Sequence, residues 1–315
     1  MNESHVDNRF SSRRCPFCGS NKSSCFMDLE TDMFCLGNWT YNKNYKELLN
    51  LSHKATFPIH RCAACGFRFA KYLPNTDFLD LVYDKIINMQ NCNDGSENLQ
   101  SYSRRMMYLG ELLSCLGNHD LKILDYGCGV GVDLKILKSV NIKCIGYEPS
   151  RERLKKMIQS DLNVYSDEES LFSECPYDAI ICDNVLEHVP CPNEIVGIFS
   201  KLSKKDTVLF VSVPDSNIKF FKNQKSRILK KLPLDMSLNP WEHLNYFEIK
   251  YIDRLFDNAG FSPINPNINV NIGLRQEGGG LNRLRNILAS MVRLIDYAVT
   301  GRTNRNPNWL FYKYE

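Results

Sequence analysis

Residues 123–131, Ile-Leu-Asp-Tyr-Gly-Cys-Gly-Val-Gly, place three glycines in five positions behind an aliphatic pair and an aspartate. No other stretch restricts the fold as strongly. The chain runs extended to Tyr126, then bends through Gly127, Gly129 and Gly131 into an amphipathic segment. Glycine permits such a bend because it lacks the Cβ that forbids left-handed backbone and keeps a ligand at a distance. A turn of this kind sits at the carboxyl end of a strand, where open α/β sheets bind their ligands.

The flanking pattern agrees. Leu134, Leu137 and Val140 recur at helical spacing after the bend, and Met106, Leu109, Leu112, Leu113 and Leu116 do so before it. Segments 142–148, 177–183 and 207–214 read as further strands, with helices predicted over 150–160 and 191–203. Strands alternating with helices predict a parallel sheet covered on both faces.

The bend also narrows the ligand. A dinucleotide fingerprint, G-x-G-x-x-G, would need its third glycine at position 132, which is Val132. No G-K-[ST] follows, so a P-loop is excluded. Glu148 ends the second strand, 23 residues after Asp125, and a carboxylate there can accept both hydrogen bonds of a ribose diol. A nucleoside without a diphosphate fits this set, and S-adenosylmethionine is such a ligand.

These residues carry a resemblance. "ILDYGCGVG", "GYEPS", "YDAIICDNVLEHVPCP" and "LFVSVPD" resemble, in order, the successive motifs of class I S-adenosylmethionine-dependent methyltransferases. "NPWEHLNYFEIKYIDRLFDNAGF", 239–261, is similar to the segment that follows in the methyltransferase-23 branch of that family. The likeness spans about residues 100–275. It implies a Rossmann-like α/β sheet of parallel strands with a closing antiparallel strand, for which 308–314 is the candidate. It implies S-adenosyl-L-methionine held by Asp125, Tyr126, Gly127, Cys128, Gly129, Gly131, Glu148, Pro149, Asp183 and Asn184. Two features depart from the family: Lys204-Lys205-Asp206 replaces its Pro-Gly-Gly turn, and only Asp167 and Glu168 are candidates for its adenine-contacting acid.

Methyl transfer from a sulfonium is an in-line displacement whose leaving group departs neutral, so alignment supplies most of the rate. A base for the acceptor's proton adds about 10²–10⁴-fold. His188, a few residues past the fourth strand near the ligand-facing rim, and His243, after a long loop beyond the fifth strand, are the catalytic candidates, since imidazole titrates near neutrality. Glu187 and Glu242, beside them, read as loop-shaping. Cys191 follows Pro190 as in cytosine-C5 methyltransferases, but the intervening turn removes it from its strand and argues against a nucleophile. Asp183-Asn184-Val185-Leu186 is not the Asp-Pro-Pro-Tyr motif of amino-directed nucleic-acid methyltransferases.

The front of the chain holds a different signature. Cys15-Pro16-Phe17-Cys18-Gly19 and Cys62-Ala63-Ala64-Cys65-Gly66 repeat C-x-x-C-G. Two such knuckles supply four thiolates, a closed shell that suits structural zinc. Cys25, Cys35, His53 and His60 lie between them as alternative ligands. The expected organisation is a zinc-ribbon-like domain over residues 1–90 and a methyltransferase domain over 91–315, with a lid near 216–243 and a helical insertion near 280–300.

Charge and composition bound the partners. Net charge is +3, from 39 basic and 36 acidic residues, which is no signature of a nucleic-acid binder. Asp28, Glu30 and Asp32 weigh against a ribbon that grips RNA, the alternative enzyme reading; a non-catalytic scaffold is the other. The expected acceptor is a small molecule or a sugar-linked precursor, met by Lys219, Lys222, Lys225, Arg227, Lys230 and Lys231 of the lid or by none of them if that face is merely solvated. No apolar run is long enough to span a bilayer. Residues 281–299 form an amphipathic stripe suited to packing on its own domain or to weak contact with a membrane surface. Thirteen cysteines, an odd number in a long chain without an apolar leader, predict reduced thiols and a cytoplasmic location.

Overall fold

A computed structural model describes residues 8–29, 56–81, 99–117, 120–232, 234–239, 242–266 and 309–315. The expected helical insertion near 280–300, the domain boundary near 90, Cys35 and His53 all lie outside the described residues.

The front half is built from short antiparallel strands. β1 (Phe10–Ser12) pairs with β5 (Tyr72–Pro74), while β2 (Ser23–Met27), β3 (Ile59–Cys62) and β4 (Arg68–Ala70) form a meander. A short helix, α1 (Thr76–Leu81), follows.

The second half alternates helices and strands as expected. Its elements are α2 (Leu99–Ser114), β6 (Lys122–Tyr126), α3 (Val132–Ser139), β7 (Lys143–Tyr147), α4 (Arg151–Gln159), β8 (Val164–Tyr165) and α5 (Glu168–Glu174). Then come β9 (Tyr177–Asp183), α6 (Pro192–Leu202), β10 (Ser203–Ser212), α7 (Ile218–Leu229), β11 (Asn245–Tyr246), α8 (Ile249–Asp257), β12 (Phe261–Ile264) and β13 (Leu310–Tyr314). The main sheet has the order β12-β13-β10-β9-β6-β7-β8. β10, β9, β6, β7 and β8 run parallel, and β13 closes the sheet antiparallel between β10 and β12. The candidate closing strand at 308–314 therefore stands where the resemblance puts it.

Side chains alternate between two cores, as a sheet covered on both faces requires. Leu124, Ile180, Leu209 and Val211 pack with Phe199 and Leu202 of α6 on one face. Ile123, Ala179, Ile181 and Phe210 pack with Tyr108, Leu109 and Leu112 of α2 on the other. Tyr108 lies flat on Phe210, with ring centroids 4.2 Å apart. The helical stripes differ from expectation at two positions: Met106 and Val140 are 52% and 56% exposed. Val140 only caps α3. Met106 precedes Tyr108, which takes the buried place.

The Lys204-Lys205-Asp206 replacement has a local solution. Asp206 adopts φ +70°, the pairing of β10 with β9 shifts register between Ser203 and Val208, and Thr207 Oγ1 donates to the Tyr177 carbonyl at 2.7 Å. The turn is thus absorbed into a bulge at the start of β10.

The two halves share a sheet. β11, from the second half, pairs with β4 and gives the front meander the order β11-β4-β3-β2. Aromatic rings fill the junction: Phe67 contacts Phe17, Phe247 and Tyr251 at 5.1–5.4 Å between centroids. The expected lid is also tied down. Phe221 of α7 is fully buried, 5.1 Å from Phe26 of β2, and the Arg68 guanidinium lies over both rings.

Candidate functional site

The glycine bend leaves β6 at the carboxyl rim of the sheet. All three glycines have positive φ, +79°, +60° and +73° for Gly127, Gly129 and Gly131. Their surroundings differ. A Cβ on Gly127 would stand 2.6 Å from Val185 Cγ2, whereas one on Gly129 would meet nothing within 4 Å. Sequence reading assigned the whole bend to ligand approach. In the structure Gly127 makes room for Val185, Gly131 for Leu162 and Met157, and Gly129 alone faces open space.

Glu148, one residue past β7, is 4% exposed and points back at the bend. Its Oε2 accepts from the Gly129 amide at 2.9 Å and its Oε1 from the Ser150 amide at 2.9 Å, with Arg153 Nη1 at 3.6 Å. Burial raises its pKa while Arg153 and the two amides oppose that shift. Pro149 is exposed beside it. Tyr126 and Cys128 turn their side chains inward. The Tyr126 hydroxyl donates to Glu168 at 2.6 Å, and Cys128 Sγ lies 3.7 Å from Met157 Sδ. Only their backbones can face a ligand. Glu168 is therefore engaged from below, and Asp167 caps α5 by accepting from the Ser170 amide.

A buried acid group underlies the rim. Asp125 is 3% exposed and its Oδ2 has no hydrogen-bond partner. Burial, then the neighbouring charge of Asp133, raises its pKa well above the ordinary carboxylate value, against Arg105 and with Asp183 and Glu148 adding to the rise. Sequence reasoning missed the two arginines that hold this group. Arg104 grips Asp183 through two 2.8 Å bonds and reaches Ser212 Oγ at 3.0 Å, and Arg105 pairs with Asp133 at 2.6 Å. Tyr108 also donates to Asp133. Adjacent arginines on a helix whose apolar stripe starts three residues later were the available signal. Asn184, at φ +55°, donates to Asp183 Oδ1 at 2.9 Å.

Beyond β9 the chain brings His188 and His243 together, edge to face with centroids 4.7 Å apart. His188 Nδ1 lies 2.9 Å from the Glu242 carbonyl, which assigns the proton to Nδ1 and leaves Nε2 as an acceptor. Burial lowers its pKa to about 4, with Arg153 adding to the drop and the Glu242 carbonyl opposing it; His243 is lowered well below its ordinary value by burial and by His188. Both rings are neutral at pH 7. Glu187 is 1% exposed, and burial pushes its pKa up to about 8. A reading of Glu187 as mere loop-shaping missed this grouping, because the contact joins segments over 50 residues apart.

The front meander fastens that grouping. The Leu244 and Asn245 amides both donate to the Glu187 carbonyl, at 2.7 and 3.1 Å, and Asn245 Nδ2 donates to the Leu186 and Val189 carbonyls. From the other side, the Ala70 amide donates to the Leu244 carbonyl at 2.9 Å. Arg13 reaches the Leu244 and Pro190 carbonyls. Cys191 starts α6 as its capping residue and is half-buried, with no base placed against it among the described contacts.

Cys15, Cys18, Cys62 and Cys65 converge as expected, with one sulfur from each within 4.8 Å of all the others. The Cys15–Cys65 and Cys18–Cys62 separations are 3.7 and 3.5 Å. Four thiolates about 2.3 Å from one zinc ion lie roughly 3.8 Å apart, so the donor set fits. Cys25 and His60 face each other across β2 and β3 instead, and His60 Nδ1 bonds Ser23 Oγ at 2.9 Å.

An open concavity of about 610 Å³ lies just past β10, lined by Asp215, Asn217, Lys219, Phe220, Lys222 and Asn223. Of the six expected lid cations, Lys219 and Lys222 reach it, and Lys225 lies over the Phe26 ring at 4.6 Å.

A parallel sheet closed by one antiparallel strand, with a glycine bend and an acid at successive strand ends, defines the class I methyltransferase architecture. The family model of the methyltransferase domain matches residues 98–265, more than half of the chain, and the chain belongs to that family. A ubiquinone biosynthesis O-methyltransferase of Xylella fastidiosa (strain M23) is 30% identical over 126 residues, 37% of this chain and 50% of that protein. One of the same description from Colwellia psychrerythraea is 25% identical over 114 residues, 33% and 46% of the two chains. The chain spans about half the length of the curated relatives it matches. Among solved structures, a SAM-dependent methyltransferase from Archaeoglobus fulgidus superposes with a TM-score of 0.41 at 16% identity, over 67% of this chain and 92% of that one.

Proposed function

We propose that the chain transfers a methyl group from S-adenosylmethionine to an oxygen of a small-molecule or sugar-linked acceptor. The observation that carries the reading is the pairing of Gly129, whose Cβ position is open, with Glu148, whose carboxylate lies against the same turn. A nucleoside seated there would approach the Gly129 backbone and offer its ribose hydroxyls to Glu148. The orphaned Asp125 Oδ2 below the bend supports a further polar contact. The bound cofactor supplies an activated methyl on a sulfonium. The protein's part is to hold both partners in line and to keep water from the reacting centre.

An oxygen acceptor is favoured over nitrogen or carbon by the names of the relatives, which are O-methyltransferases. Arg104 fixes Asp183 at the carboxyl rim of the sheet through two hydrogen bonds. The four cysteines hold zinc as a structural ion, since a closed thiolate shell leaves no position for substrate. The division into a head over 1–90 and a methyltransferase part over 91–315 stands as our reading, amended by β11, which belongs to the second part in sequence and to the head in its sheet. Among the described residues no helix is long and apolar enough to cross a membrane.

Calorimetry with S-adenosylmethionine, S-adenosylhomocysteine and NAD tests the cofactor. Binding of the adenosyl ligands without NAD is expected, and tight NAD binding without them rejects the proposal. Labelled methyl donor incubated with fractionated extract is expected to mark small molecules or glycan precursors, and label confined to RNA rejects the acceptor class.

A further inference from the structure

We propose that the concavity at the start of α7 seats an anionic sugar, with Lys219 and Lys222 on its phosphate or carboxylate and Asp215 on its hydroxyls. That this sugar is the methyl acceptor rests on the methyl-transfer reading; the binding site does not. At about 610 Å³ the concavity falls within the size range of small-molecule sites, about 300–1,000 Å³.

Charge is sorted along its lining. Lys219 and Lys222 lie three residues apart on α7, so both ammonium groups project from one side of the helix, with Asn223 beside them. Elsewhere on the surface, Lys122, Lys138, Lys143, Lys204 and Lys313 each pair with a carboxylate. Lys219 and Lys222 have no such partner among the described residues. Two neighbouring cations without a counter-charge favour an anion between them. Asp215 precedes the helix, whereas Lys222 lies about 7.5 Å along it from the Asn217 cap. Asn217 holds Asp215 in place: its Nδ2 donates to Asp215 Oδ2 at 2.7 Å, and its Oδ1 accepts from the Phe220 amide at 2.9 Å. The carboxylate keeps acceptor capacity beyond that one bond. A simple anion would be drawn by the lysines and repelled by Asp215. A ligand with hydroxyls at one end and negative charge at the other satisfies both, and half-buried Phe220 adds apolar surface for its ring.

The lining is held from behind. Phe221, next to Phe220, is fully buried against Phe26 of β2, and Arg68 of β4 reaches the Ser216 carbonyl at 3.3 Å and Glu248 at 2.8 Å. A site fixed in advance loses little entropy on binding. Its place also fits. β10 ends at Ser212, whose carbonyl accepts from the Asn184 amide at 2.9 Å, so the concavity opens at the carboxyl rim that also carries Asp183 and Glu148. In the strand order β10-β9-β6-β7, β10 stands about 14 Å from β7. Asp215 lies next to the strand end and Lys222 farther along the helix. This order turns the hydroxyl end of the ligand toward the rim and its charged end away.

The test uses the full zinc-loaded chain, with and without S-adenosylhomocysteine, at low salt. Glucose 1-phosphate, glucuronate, inorganic phosphate and glucose are titrated by calorimetry and by ligand-observed nuclear magnetic resonance. At least one of the two anionic sugars is expected to saturate a single site per chain, about tenfold or more tighter than glucose or inorganic phosphate. Saturation by glucose 1-phosphate alone assigns a phosphate, and by glucuronate alone a carboxylate. Lys219→Gln combined with Lys222→Gln should weaken that binding at least about tenfold. Lys201→Gln combined with Lys205→Gln, beside the amino end of β10, should change it less than about twofold. Asp215→Asn should weaken the anionic sugar at least about threefold while inorganic phosphate binds no worse, a split that a loss of fold would not produce. Failure of both anionic sugars to saturate, or equal losses in the two lysine pairs, overturns the inference; S-adenosylhomocysteine binding by that same protein would leave the methyl-transfer reading intact. Sugar binding by protein that takes no S-adenosylhomocysteine would instead refute the methyl-transfer reading and leave the concavity standing.

Discussion

Gly127 and Gly129 are two residues apart, share a left-handed backbone, and should fail in different ways when given a methyl group. At Gly127 the added Cβ lands 2.6 Å from Val185 Cγ2, and a packed core resists such overfilling by about 1–3 kcal/mol. Left-handed backbone with a Cβ costs roughly 1 kcal/mol more. Gly127→Ala should therefore destabilise folding by about 2–4 kcal/mol. Gly129→Ala carries only the backbone cost of about 1 kcal/mol, because nothing lies within 4 Å of the new atom. Its methyl instead occupies space assigned to the cofactor. Urea unfolding measures the first effect and calorimetry with S-adenosylhomocysteine the second. Gly129→Ala should weaken binding at least about tenfold, or about 1.4 kcal/mol, in protein of nearly wild-type stability. A cycle with Val185→Ala should recover about 1–2 kcal/mol in the Gly127→Ala background and nothing in the Gly129→Ala background. If Gly129→Ala unfolds the protein as readily as Gly127→Ala, or binds the ligand normally, the division of labour within the bend is wrong.

Asp125→Asn should change the pH dependence of stability. Burial beside Asp133, Asp183 and Glu148, only partly offset by Arg105, raises the folded-state pKa of Asp125, so its contribution is present below the unfolded value near 4 and is lost as pH rises through the folded value; the asparagine variant should show a flatter profile in urea titrations from pH 5 to 8. Arg104→Met removes both guanidinium bonds from Asp183, which is 7% exposed at its side chain and keeps only the Asn184 bond and a 4.0 Å approach from Arg105. Because Arg104 itself is 36% exposed, the cost should be about 1–2 kcal/mol rather than that of a fully buried pair, and unfolding at two salt concentrations checks it. Removing zinc with a thiol-competing chelator, or by Cys62→Ser, should loosen β3 and β4 and with them β11, read as faster amide exchange at Leu244 and Asn245 while protection in β9 and β10 is kept.

The main sheet was legible because its strands and helices are each written in a local period, and the bend and Glu148 are fixed relative to strand ends. The four cysteines were legible because two residues between thiols leave one way to aim both at an ion. Three matters were not. Arg104 and Arg105 act through tertiary contacts with acids 28 and 79 residues away, and no local period marks them. The meeting of Glu187 with His243 depends on where a long excursion returns. Glycine content shows that a bend is tight without showing whether a ligand or Val185 fills the space beside it.

The place where β11 lies down beside β4 has a consequence for any shortened form of the chain. Without the head, β11 loses β4, the strand it pairs with, and the rings of Phe221, Phe247 and Tyr251 lose their contacts with Phe26, Phe67 and Phe17. Such a fragment would carry an uncovered apolar flank and would be prone to self-associate. The head and the enzyme are in that sense one object, inherited or lost together.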